Sequence, residues 1–380
     1  MRFRRGWVTR RAAAVALVCL VLASCTSGDE ATDDPQPDCT PFKQATSVDE
    51  LNQQIQTARS SPEFRGGDVG ASVLLRDGRS LWIFGDTLRG PEYGNRIVRN
   101  SMLLFEKDCI RTIPGKDGGA IIPDRDDEVG YWPMSIAVVP KDGVELVGVM
   151  SQRVRNTGDS SEAWGFETLG PSIAVFVVRP GQDPVLSLVH DFGPDDPART
   201  NPAWGAASWI QDGYVYLYGT SNPGDGSAFG YALRVARVPV EQIVDQSAWT
   251  YWDGQQWQAD PAAAAVLIDA VGGVSQTLSV IFKDGKWYAV SKRDDFLGTD
   301  LVVWSADAPT GPFEPSDPVA KIPSDFNSNL YLYMPLAHPE LFPQPGSLVV
   351  SVSRNTDSLA KIEENPTLYR PEFMTITLPS

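Results

Sequence analysis

The chain has 380 residues, 42% hydrophobic and 21% charged, with 48 acidic against 32 basic side chains and a net charge of −16. A surface so acidic repels nucleic acid and anionic lipid headgroups, which sets nucleic-acid binding aside. The length suffices for one large domain with a full hydrophobic core.

Chemistry-bearing signals begin at the N-terminus. Arg2, Arg4, Arg5, Arg10 and Arg11 precede an apolar run from Ala12 to Ala23. A dozen residues cannot cross a bilayer, which takes about 20, but they suit the hydrophobic part of a signal peptide. The run closes on Leu22-Ala23-Ser24-Cys25, which resembles the bacterial lipobox. The resemblance implies a signal peptide over 1–24 and acylation of Cys25. The alternative is an ordinary signal peptide with a chance cysteine. The expected location is the extracytoplasmic face of the cell membrane, with the membrane engaged through the lipid anchor only. Each buried CH₂ adds about 0.8 kcal/mol, so several acyl chains hold a protein where one would not. Cys19 departs with the signal. Cys39 and Cys109 remain as an even pair in an oxidising compartment and are expected to form a disulfide, or else to stand as two buried thiols.

Residues 25–40 form an acidic, Pro-containing stretch without large apolar side chains, the composition of a solvated tether. A helical segment over 41–61 follows. Ser47-Val48-Asp49-Glu50 matches a capping box, and Leu51, Ile55 and Ala58 recur at helical spacing, so a helix is expected over 48–60. The only other helical signal is a possible turn near Val240 to Gln246.

The domain over 62–380 reads as all-β. Five runs pair an apolar strand, a tight turn and a second strand. Four turn on Asp77-Gly78, Asp142-Gly143, Asp212-Gly213 and Asp284-Gly285, and the fifth on Pro345-Gly346. Asp-Gly is a strong hairpin signal because such turns need positive φ. The turn glycines lie 65, 70, 72 and 61 residues apart, and each hairpin is followed by one or two further β-like runs. Five units of about four strands predict a five-bladed β-propeller with a short N-terminal helix, in preference to paired sandwiches or an irregular β-helix.

No HExxH, CxxC, GxSxG or P-loop occurs, and His190 and His338 lie far apart. Metal and serine-hydrolase chemistry are therefore poorly supported, and neither metal nor cofactor is expected. Carboxylates are the better candidates. Residues where each blade's innermost strand starts line a central funnel: Gly67-Asp68-Val69-Gly70, Tyr131-Trp132-Pro133, Ala203-Trp204-Gly205, Gly273-Val274-Ser275-Gln276, and Tyr333-Met334-Pro335 with His338-Pro339-Glu340. Acids and flat aromatics together suit glycoside hydrolysis, which needs a proton donor and a second carboxylate. Asp68, Asp86 and Glu340 are the candidate catalytic acids. Asp68 and Asp86 could equally cap turns, and Glu340 could be a solvated loop charge. Glu167 is a further candidate. Trp132, Trp204, Ser275, Arg293, His338 and Asn355 are the candidate sugar-binding residues. For Trp132 and Trp204, packing between blades is the competing explanation.

LWIFGDT with the later RNSMLLF, the YWP start, NPAWGAAS…GYVYLYG, the APTGPF turn over Ala308 to Phe313, and YMPLAHPEL…LVVSVSRN together resemble an actinobacterial domain family long described as of unknown function. The resemblance covers about 62 to 379. It implies a five-bladed propeller, and some members are endo-D-arabinanases acting on mycobacterial arabinogalactan and lipoarabinomannan. In such propellers an aspartate on the innermost strand of blade one is a catalytic carboxylate, which maps to Asp68. The better-known relatives take their acid from a glutamate of blade three, and the stretch Asn201 to Ser208 has none. Two functions are thus expected: a lipid-anchored glycoside hydrolase on arabinan-type cell-wall polysaccharide, or a non-catalytic glycan- or protein-binding propeller. In either case the protein is expected to be monomeric.

Overall fold

The computed structural model describes residues 39–57, 61–158 and 165–379. The expected signal peptide, Cys25, the expected tether up to residue 38, Ala58 of the expected helix and Trp164 lie outside the described residues. Five antiparallel sheets follow one another along the chain. They form five blades of a β-propeller, as the hairpin repeat predicts. The innermost strands are Gly66–Leu74, Gly130–Lys141, Ala203–Gln211, Ser279–Lys283 and Leu330–His338, and each packs on the innermost strands of neighbouring blades. The second strands are Ser80–Leu88, Val144–Asn156, Tyr214–Ser221, Lys286–Lys292 and Ser347–Thr356. Blade five carries only one more strand, Glu372–Thr377, and so has three rather than the expected four.

The hairpin turns follow from backbone sterics. Asp142, Asp212 and Asp284 and the glycines after them all have positive φ, the conformation that two-residue turns with native twist require. Asp77-Gly78 differs. Only Gly78 has positive φ, and the loop is longer, closing through Gly78 N–H to the Leu75 carbonyl at 3.0 Å. Each blade buries its apolar faces against the next. Trp82, Phe84, Val349 and Phe373 fill the seam between blades five and one. Met150, Ile173, Trp204 and Leu217 fill the seam between blades two and three.

The helix spans Val48–Thr57. Its cap departs from the expected reciprocal box. Ser47 Oγ accepts from Glu50 N–H at 3.2 Å, but the Glu50 carboxylate reaches back to Thr46, accepting from its N–H at 2.9 Å and its hydroxyl at 2.8 Å. The helix covers the outer edge of blade five. The Asn52 amide donates to the Phe373 carbonyl at 2.7 Å and accepts from its N–H at 2.9 Å, which occupies an edge that would otherwise offer free pairing groups. The Cys39–Cys109 disulfide, with its Cα atoms 5.5 Å apart, ties this segment to blade one. A second helix, Leu359–Glu364, was not legible in the sequence, and the expected turn near Val240 to Gln246 is two short 3₁₀ turns. Among the described residues no helix is long and apolar enough to cross a membrane.

Candidate active site

Four of the five innermost strands break register with their partners near their starts: around Val69, between Pro133 and Ser135, between Trp204 and Ala207, and between Tyr333 and Leu336. A bulge bends a strand and re-aims its side chains. In blade one the distortion is strongest. Val69 has φ +66° and Gly70 +69°. A β-branched residue at positive φ is a true outlier, held only where its surroundings compel it. Here the Ser353 hydroxyl accepts from Val69 N–H at 3.0 Å.

This bulge places Asp68 against Gly85-Asp86 of the adjacent strand. A Cβ on Gly85 would sit 2.4 Å from Asp68 Oδ1, so the carboxylate approaches only because residue 85 is glycine. Both aspartates are half-buried. The Tyr333 hydroxyl donates to Asp68 Oδ2 at 2.9 Å, and the Asn355 amide donates to the Tyr333 oxygen at 3.3 Å. The Trp132 indole donates to Asp86 Oδ1 at 2.8 Å, while the Tyr369 hydroxyl donates to the Asp86 carbonyl at 2.7 Å. Thr87, fully buried on the same strand, donates to the Gly85 carbonyl at 2.9 Å.

Electrostatics set the pair apart from ordinary surface carboxylates. Burial, followed by the neighbouring Asp86 charge, pushes Asp68 up to about 7, against a smaller opposing pull from Tyr333. Burial pushes Asp86 up to about 6, moderated by the Trp132 hydrogen bond and the Arg99 charge. Two acids this close titrate as a unit. Near neutrality the pair therefore holds one proton and one negative charge. Asp86, with a donor and a cation nearby, is the better home for the charge.

The other sequence candidates fall elsewhere. Glu340 is not brought to the pair. It is hydrogen-bonded by Ser72, four residues beyond Asp68, or about 13 Å of extended strand. It follows the end of the inner strand Leu330–His338, whose start supplies Tyr333. His338 has no exposure, stacks on Trp82, and bonds Ser72 and Ser351 at 2.7 Å each, so it cannot meet a sugar in the funnel mouth. Ser275 is likewise fully buried, donating to the Lys292 carbonyl at 3.2 Å. Trp204 is 3% exposed, wedged against Gly219 and Tyr251 of its own blade and buried in one cluster with Met150 and Ile173 of blade two, the packing between blades that competed with a sugar platform. Arg293 is half-buried beside Asp300, and Glu167 pairs with Arg155 at 2.6 Å. Trp132 and Asn355 do reach the site, as partners of Asp86 and Tyr333.

Sequence reasoning passed over Tyr369, Arg99 and Asp124 as site residues and left Tyr333 without a role. Arg99 lies 4.0 Å from Asp124 and fits where Gly130 lacks a side chain. The neighbouring Asn100 is structural, bridging Ile122 and the Tyr131 carbonyl. Among the described residues no group of three or more His, Cys, Asp or Glu is placed to hold a metal ion.

Residues 52–377 match the model of a family described as a domain of unknown function, DUF5005. No curated protein matches the chain. Among solved structures, a candidate hydrolase from Bacteroides ovatus superposes with a TM-score of 0.61 at 19% identity, covering 92% of this chain and 97% of that one. A GH43 protein from Bacillus licheniformis gives 0.47 at 13% identity, over 83% of this chain and 53% of that one. The α-L-arabinanase of Cellvibrio cellulosa gives 0.43 at 12% identity, over 82% and 91%. At such identities the likeness speaks for the fold alone.

Proposed function

The chain belongs to the DUF5005 family, and we propose that it is a glycoside hydrolase acting through Asp68 and Asp86. One observation carries the reading. A strained bulge and an obligatory glycine bring two half-buried carboxyl groups together, where burial and the neighbouring charge keep one of them protonated. Asp68 is the proton donor to the leaving glycosidic oxygen. Asp86 is the carboxylate that acts on the anomeric carbon, directly or through water. Trp132 and Tyr333 hold the two acids, and each leaves the second oxygen of its acid free of that contact.

The substrate is an arabinan-type polysaccharide of the cell wall. The motifs FGDT, YWP and HPE, shared with the arabinanase-containing family the sequence resembles, support this assignment. The lipobox-like Leu22-Ala23-Ser24-Cys25 supports anchorage by lipid on the outer face of the cell membrane, within reach of that polymer. The test is incubation of the purified protein with arabinogalactan, followed by analysis of released oligosaccharides. Release that is lost in Asp68→Asn and Asp86→Asn, with both variants folded, is expected. No release from any envelope glycan would leave a glycan-binding propeller instead.

A further inference from the structure

We propose that a polar cleft between blades two and three binds the sugar units next to the bond that is cut, so that the substrate is a neutral oligosaccharide chain rather than a terminal sugar. This rests on the hydrolase reading above and extends it along the polymer. The cleft has a volume of about 480 Å³ and is lined by Gln152, Thr168, Asn201, Asn222, Tyr231 and Gln276 among others. That size lies within the usual range for ligand sites, about 300–1,000 Å³.

The cleft starts beside the acid pair. Gln152 stands directly opposite Trp132 in the ladder between the first two strands of blade two, and Trp132 holds Asp86. Gln152 also points to an occupant. It is 5% exposed, and its carbonyl oxygen is buried without a hydrogen-bond partner. A buried acceptor left unpaired is unfavourable, because it has lost its water without gaining a donor. A hydroxyl donated by a bound sugar would satisfy it.

The charge pattern selects a neutral ligand. Asp195 is taken by Arg125 at 3.0 Å, with Arg153 beyond it at 3.6 Å. Asp196 accepts from the Thr200 N–H and hydroxyl and from Asn201. With these acids engaged, the lining presents amides, hydroxyls and the rings of Phe192, Trp204, Tyr231 and Tyr251, with Arg199 exposed at the rim. Such groups recognise hydroxyl-bearing chains by hydrogen bonding and ring contact.

The test is calorimetric binding of linear arabino-oligosaccharides, from disaccharide to hexasaccharide, to the Asp86→Asn protein, alone and with Gln152→Ala or Asn201→Trp added. Asn201 is exposed at the rim, so the bulky replacement blocks the cleft without touching the core. The hexasaccharide should bind about tenfold or more tighter than the disaccharide. Each added variant, with the protein still folded, should abolish that gain. A length gain that survives Asn201→Trp, binding of no oligosaccharide, or preferential binding of anionic oligosaccharides would overturn the proposal. Hydrolysis by the unmodified protein is read separately. Activity with an intact length gain in Asn201→Trp refutes the cleft alone, and length-dependent binding without activity refutes the hydrolase alone.

Discussion

Asp68 and Ser72 lie four residues apart on one strand, and the groups around them are arranged on opposite terms. Around Ser72, His338 and Glu340 both bond its hydroxyl, and the far nitrogen of His338 pairs with Ser351. Trp82 stacks on the imidazole, and Phe373 packs against it at a tilt. Around Asp68 two like charges face each other, the backbone is forced into positive φ, and both acids remain half-buried rather than sealed. A carboxylate supplied with its own donors is locked into the fold. A pair that opposes its own ionisation is held ready to exchange a proton, and the fold tolerates the strain because blades one and five pin it from both sides.

Substitutions at the two clusters should therefore act on different quantities. Apart from replacing the acids themselves, the largest effect is expected from Gly85→Ala. The added methyl occupies the space of Asp68 Oδ1, and misplacing a catalytic group by about 1 Å costs on the order of 10²-fold in rate. An unchanged rate in steady-state hydrolysis would remove Asp68 from the chemistry. Glu340→Ala should do the reverse. Loss of its hydrogen bond with Ser72 costs about 1–3 kcal/mol in urea unfolding, while kcat stays at the parent level. A matching loss of kcat would erase the contrast between the clusters.

Tyr333→Phe sharpens the comparison within the pair. The Tyr333 hydroxyl favours the ionised form of Asp68, so its removal raises that group further. The alkaline limb of the pH–rate profile should then move to higher pH, with the acid limb little changed. A shift downward would reverse the assigned roles. The smallest effect is on stability. Asp68 rises from 3.8 to about 7 on folding, so between those values the folded state binds more protons than the unfolded one. Stability must fall as pH rises through that window. In Asp68→Asn that fall should flatten, by up to a few degrees of Tm in thermal scans.

Much of this was legible in the sequence. The Asp-Gly turns and their spacing defined five hairpins, because positive φ restricts the residues allowed there. Asp68 was legible as an acid at an inner-strand start, and Asp86 as one that directly follows the apolar run Leu81 to Phe84. Glu340 was placed in the funnel because His338-Pro339-Glu340 reads as the start of the fifth inner strand, after the apolar run Leu330 to Ala337. That run is itself the inner strand, so the glutamate emerges at its far end. Trp132 and Trp204 look alike in sequence, and only packing across blades gives one to Asp86 and the other to the seam. The helix at Leu359–Glu364 has a capping serine, Ser358, but six residues are too few to display a period. The need for glycine at 85 comes from a carboxylate on another strand, which local pattern cannot reveal.

The most direct test is the rate of arabinan hydrolysis across pH for the parent protein and Asp86→Asn. The parent should show a bell with limbs near about 6 and about 7, the values of the coupled pair. Asp86→Asn should lose about 10²–10⁴-fold at the optimum while remaining folded. A profile without limbs, or full activity in the variant, would contradict a catalytic Asp68–Asp86 pair.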